Sequence, residues 1–192
     1  MRRSIEIHKH VRKIHVISER VELTRSETLS KPCGMVTIYF HLTEDRGSPK
    51  GTKMPLTTRM TRQLGIRHPI ISAPMAFAAG GKLAAAVSAA GGLGLIGGGY
   101  GDTAWLEREL VAAGDQTVGV GFITWSLRKK LELLDQVLCF KPKAVCLSFD
   151  DPAPFADRIK QQGIALICQV QTRRDAERAI SCGADMIVAQ GS

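Results

Sequence analysis

From Leu64 onward one unit recurs: a short apolar run, an irregular turn, a helical pattern, and a glycine. The apolar runs fall at residues 70–73, 93–96, 118–123, 143–148, 164–170 and 185–189. They show little polar alternation, as strands of a parallel sheet buried on both faces do. Helical patterns fall between them at 82–90, 103–113, 127–138, 154–161 and 173–182. Asp102, Ser126 and Thr172 are suited to open three of these helices, and Gly114, Gly163 and Gly183 to close three. Strand, helix, strand in this order predicts an α/β fold, a parallel sheet with right-handed crossovers. Six strands and five helices fit either an open doubly wound sheet or a (β/α)8 barrel that stops early. A barrel takes about 250 residues, and 139 run from Met54 to Ser192.

Composition sets the outer bounds. The chain is 44% hydrophobic and 23% charged, a globular balance. No apolar run reaches the roughly 18 residues of a membrane span; the richest stretch, 83–96, is broken by Gly91 and Gly92. No hydrophobic signal core follows Arg2 and Arg3. The five cysteines form no C-x-x-C pair, so reduced thiols in a cytoplasmic protein are expected, without metal. The net charge of +8 is uneven. Residues 1–53 carry 11 Lys and Arg against 6 Asp and Glu. That excess lies outside the repeating part, and aromatics are 5% of the chain, so no nucleic-acid surface is expected.

Residues 1–53 do not share the repeat. His8, His10 and His15 fall among Lys and Arg without a period, and Gly47 to Thr52 reads as a linker. A basic, disordered leader over 1–53 and a folded domain over 54–192 are expected, with Met54 resembling an ordinary start.

Four stretches carry candidate chemistry. Pro69-Ile70-Ile71-Ser72-Ala73-Pro74-Met75 ends a strand early, since Pro74 has no N–H for a ladder. The turn that follows is at the end of the unit where barrels bind ligands. Gly92-Leu93-Gly94-Leu95-Ile96-Gly97 matches G-x-G-x-x-G, but on the strand rather than in the turn after it. Close helix–strand packing is the better reading, with Gly97-Gly98-Gly99 as a turn open to a planar or phosphorylated ligand. Gly119 and Gly121 bare one face of a strand, for tight layering or for a flat ring. Gln169 and Gln190 end neighbouring strands, with Gln171 and Ser148 at similar positions, and amides there can donate to and accept from a heterocycle. Asp150-Asp151 reads as a helix start. His68 is the one histidine after Leu42 and precedes its strand, so no general base is evident.

The blocks Ile71-Ser72-Ala73-Pro74-Met75, Ala89-Ala90-Gly91-Gly92-Leu93-Gly94, and Gly183-Ala184-Asp185 with Val188-Ala189-Gln190-Gly191-Ser192 resemble the nitronate monooxygenases. That family was formerly called the 2-nitropropane dioxygenases. The resemblance runs over about 64–192, in the family's order. It implies a parallel (β/α)8 TIM barrel, truncated here after the sixth strand, with FMN at the strands' carboxyl ends. By position it implies that Ala73, Pro74 and Met75 lie against the flavin ring. Gly97 or Gly98, Gln169, Gln190 and Gly191 would add contacts. It implies oxidation of a small alkyl nitronate by O2. Flavin-dependent NAD(P)H:quinone and enoyl-acyl-carrier-protein reductases look similar. The family's last block continues into Glu-Ala-Gly-Gly-His, whose histidine is the base, and its last units carry Gly-rich phosphate loops. This sequence stops at Ser192, so an impaired chain or a non-catalytic fragment is also expected. Its unpaired edge strands favour homo-oligomers.

Overall fold

The computed structural model describes residues 56–190. The leader, the boundary at Met54 and Gly191 lie outside the described residues. The described part is an α/β arc of five parallel strands in sequential order: β1 (Leu95–Gly99), β2 (Gly119–Ile123), β3 (Ala144–Ser148), β4 (Ala165–Val170) and β5 (Met186–Ala189). Helices α1 (Arg59–Leu64) and α2 (Gly81–Ala89) precede β1. Then α3 (Thr103–Ala112) follows β1, α4 (Thr124–Leu127) and α5 (Glu132–Phe140) follow β2, α6 (Ala153–Gln161) follows β3, and α7 (Arg173–Ser181) follows β4.

Period-two alternation divides the strands between two cores. Ile96, Val120, Phe122, Val145, Leu147 and Leu166 point outward and pack with Leu106, Leu134, Val137, Phe155 and Ile159 of the helices. Leu93, Leu95, Ala144, Cys146 and Ile167 point inward and pack with Leu64 of α1. Met60, Ile71, Met186 and Val188 border that concave cluster. Burial on both faces explains why the strands read as plain apolar runs.

Several caps are as the sequence predicts. Asp102 accepts from the Trp105 N–H at 2.9 Å and opens α3. Thr172 and Asp175 form a reciprocal capping box on α7. Asp185 opens β5 by accepting from the Leu166 N–H at 2.8 Å, so its carboxylate takes the place of a strand carbonyl.

Three expectations need correction. The strand at 70–73 is a single bridge, Ile71 to Leu93. Pro69 and Pro74 bracket it, and the Ser72 hydroxyl, not a carbonyl, accepts from the Leu95 N–H at 2.9 Å. Gly97, Gly98 and Gly99 do not form a turn; they are the last residues of β1 and are buried. Ser126 does not cap a long helix. It lies inside α4, and the helix is interrupted between Leu127 and Glu132, where the Lys130 ammonium donates to the Gly101 carbonyl at 2.6 Å. Asp150 and Asp151 keep their structural roles. Asp151 accepts from the Ala153 N–H at the start of α6, and Asp150 pairs with Arg128 at 3.2 Å.

Candidate functional site

The concave face holds a cavity of about 230 Å³ between the turn after residue 71 and the β5 edge of the arc. Ser72, Ala73 and Pro74 line one side, and Met186, Val188 and Gln190 the other. Leu95, Cys146, Ile167 and Gln169 also face it. Its walls are mostly apolar and its polar groups sit at the carboxyl ends of the strands. Small-molecule sites commonly enclose about 300–1,000 Å³. The cavity therefore suits a ring system better than a whole nucleotide.

Those polar groups form one connected set. The Ser148 hydroxyl donates to the Gln169 side-chain carbonyl at 2.9 Å. The Gln169 amide donates to Oε1 of Gln190 at 2.5 Å, and the Gln171 amide donates to the same oxygen at 2.8 Å. Parallel register makes this possible: Gln169 lies opposite Val188, and the Gln190 N–H continues the ladder to the Val170 carbonyl at 2.9 Å. Amide carbonyls and N–H groups at adjacent strand ends can meet both the acceptors and the donors along a heterocycle's edge.

Of the residues expected at a cofactor site, Ala73, Pro74, Gln169 and Gln190 come together around this cavity. Met75, Gly97 and Gly98 do not line it. The Met75 carbonyl covers the face of Gly97 where a side chain would project, and the Phe122 ring covers that of Gly98. Tight layering, not ligand space, also explains the bare face of β2. A Cβ on Gly121 would run into the Pro74 ring, and one on Gly119 into Leu95. Seated in the Gly121 notch, Pro74 holds Ala73 at the cavity wall. Sequence reading did not anticipate the apolar floor from Met60, Ile71 and Met186; Met60 was missed because a six-residue helix carries little periodicity.

Among the described residues Cys146 is the one titratable side chain lining the cavity. Burial pushes its thiol up to about 12, against a smaller opposing effect of the hydrogen bond with Ser148. Cys168, on the outer face of the neighbouring strand, is likewise pushed up to about 12 by burial, with the charges of Cys146, Cys182 and Asp185 adding to it. A thiol of raised pKa stays neutral in the fold while the unfolded chain ionises near 9.0. The thiols' contribution to stability should therefore be unchanged below about pH 9 and fall progressively as pH climbs from 9 toward 12. Urea midpoints measured between pH 7 and 11 check this, and Cys146→Ala should flatten the alkaline fall.

Among the described residues no group of three or more His, Cys, Asp or Glu side chains could hold a metal ion, and no helix is long and apolar enough to cross a membrane. The four described cysteines are free.

Fold and site together define the class: an α/β arc of the TIM-barrel type, with its candidate site at the strands' carboxyl ends. A family model for nitronate monooxygenase matches residues 57–118. The chain is 32% identical to a nitronate monooxygenase of Neurospora crassa, over 64% of this chain and 42% of that protein. It is 30% identical to a probable nitronate monooxygenase of Staphylococcus aureus, over 70% of this chain and 48% of that protein. The chain thus spans less than half the length of these relatives. Among solved structures, FabK from Thermotoga maritima superposes with a TM-score of 0.65 at 32% identity, over 71% of this chain and 44% of that one. A nitroalkane oxidase from Streptomyces ansochromogenes superposes with a TM-score of 0.55 at 24% identity, over 63% of this chain and 45% of that one, a likeness of fold. Within its class the chain is related to the nitronate monooxygenases, a kinship with oxidoreductases, and it matches part of their length.

Proposed function

We propose that this chain binds FMN in the concave cavity and serves the oxidation of alkyl nitronates by O2. The cavity fits the ring part of that cofactor. Ala73 and Pro74 offer a flat apolar wall, and the amides of Gln169 and Gln190 offer the polar edge a flavin ring requires. Bound there, FMN would take electrons from the substrate and pass them to O2. The protein's own share is positioning: the Pro74 seat fixes the wall, the Gln169–Gln190 pair fixes the edge, and the apolar floor excludes water.

What supports the substrate class is the kinship with the nitronate monooxygenases, joined to a cavity whose apolar wall and polar edge suit a flavin ring. The cavity's one titratable lining group among the described residues, Cys146, stays a neutral thiol at pH 7. Among the described residues the one histidine, His68, precedes the bridge at Ile71 and does not line the cavity. A nitronate is already the deprotonated form of a nitroalkane, so its oxidation does not require a base to remove a carbon proton. The test is O2 uptake by FMN-reconstituted protein with ethyl nitronate or with nitroethane. Uptake should follow the nitronate and be far slower with nitroethane. Equal rates would place a working base in the chain, and NAD(P)H oxidation without nitronate would favour a reductase.

A further inference from the structure

Away from the cavity, four aromatic rings gather where the turn after residue 74, β1 and β2 end. Phe77 stacks on Tyr100 with ring centres 6.3 Å apart and meets the edge of Trp105 at 5.7 Å. Tyr100 in turn lies 6.1 Å from Trp125. Phe77, Tyr100 and Trp125 remain 59%, 57% and 43% exposed. Rings of this size normally dominate cores and interfaces. Phe77 is also held at φ 58, a left-handed conformation that is costly for a bulky side chain. Trp105 is pinned from below, its indole N–H donating to the Gly97 carbonyl at 3.1 Å.

Cations complete the patch. The Lys129 ammonium lies 5.2 Å from the centre of Trp125, and the Arg108 guanidinium 5.7 Å from that of Trp105. The ion pairs among the described residues include neither of them. Asp102, the carboxylate in the same loop, is engaged in capping Trp105. The cations lie over the tryptophan faces, while the stacked Phe77–Tyr100 pair keeps exposed π-surface for a base, with positive charge nearby for a phosphate. A protein hot spot would use the same residue types, but the cations here lie against rings and pair with no carboxylate among the described residues, which favours an anionic ligand.

We propose that Phe77, Tyr100 and Trp125, rimmed by Lys129 and Arg108, form a docking platform for a free purine nucleotide. The base stacks on the exposed Phe77 and Tyr100 rings and its phosphate meets Lys129, at the Trp125 end of the ring chain. This goes beyond the flavin reading and stands without it, because none of these residues lines the cavity.

Both tryptophans of the chain are in the cluster, so intrinsic fluorescence reports on it directly. Flavin-free, full-length protein is titrated with AMP, ADP and NADPH, with pyrophosphate and a dT oligonucleotide alongside. Saturable quenching by at least one nucleotide, weaker at high salt and absent with pyrophosphate, is the expected result. In equilibrium dialysis Trp125→Ala and Lys129→Ala should each weaken binding about tenfold, Trp125→Phe should retain most of it, and circular dichroism should be unchanged. The proposal is overturned by no saturable quenching at millimolar nucleotide, by equal binding of pyrophosphate, or by tight binding of the oligonucleotide alone. Self-association that buries the tryptophans as protein concentration rises would also overturn it. Failure here leaves the FMN titration untouched, so the two readings fail separately.

Discussion

Gly121→Val is expected to lower the unfolding free energy by about 3 kcal/mol, the upper range for overpacking a close-packed interior. The new side chain would occupy the notch that holds the Pro74 ring. Backbone borders the notch on β2 and a proline ring fills it, so no flexible tip can move aside. Either β2 shifts, or the turn from Ala73 lifts off the sheet and takes one cavity wall with it. Flavin binding should fall along with stability. Gly163→Ala is the control: its Cβ would meet nothing within 4 Å, so only the left-handed φ of 70 is penalised. That costs about 1–2 kcal/mol and should leave flavin binding intact. Urea unfolding and flavin titration of the two variants separate a general loss of stability from a loss of the wall.

The second large effect is expected at the glutamines, and there affinity and stability should part. Gln190→Leu removes the oxygen that accepts from both Gln169 and Gln171. These groups are solvent-accessible, so water replaces the lost partner and stability should change by less than about 1 kcal/mol. Flavin affinity should drop about tenfold or more, since a ligand edge loses a fixed polar contact in a mostly apolar cavity. Gln169→Leu should lower both, because Ser148 is buried and loses its acceptor. If the amides only tie strand ends together, Gln190→Leu would leave flavin affinity at the wild-type value.

The alternation of strands and helices from β1 onward was largely legible in the sequence, because apolar runs, the caps at Asp102 and Thr172 and the closing glycines pointed the same way. Strand ends were less legible. The run at 93–96 extends to Gly99 as β1, since glycine carries no β propensity yet lies flat where Met75 and Phe122 press against it. The bridge at Ile71 is shorter than its apolar run because the serine hydroxyl replaces a ladder carbonyl, a side-chain choice no pattern reveals. The glutamines were visible individually; their joining depends on register between β4 and β5, which a sequence does not state. The aromatic platform was invisible because its rings come from the turn at Phe77, the β1–α3 segment at Tyr100 and Trp105, and α4 at Trp125, which only the fold brings together.

The most direct measurement of the cavity's role is a fluorescence titration of the full chain with FMN and with lumiflavin, beside Ala73→Phe. The account predicts saturable 1:1 binding of FMN, competition by the phosphate-free lumiflavin, and loss of both in Ala73→Phe with its urea midpoint near that of the wild type. No saturable binding of either flavin, or wild-type affinity in Ala73→Phe, would contradict it.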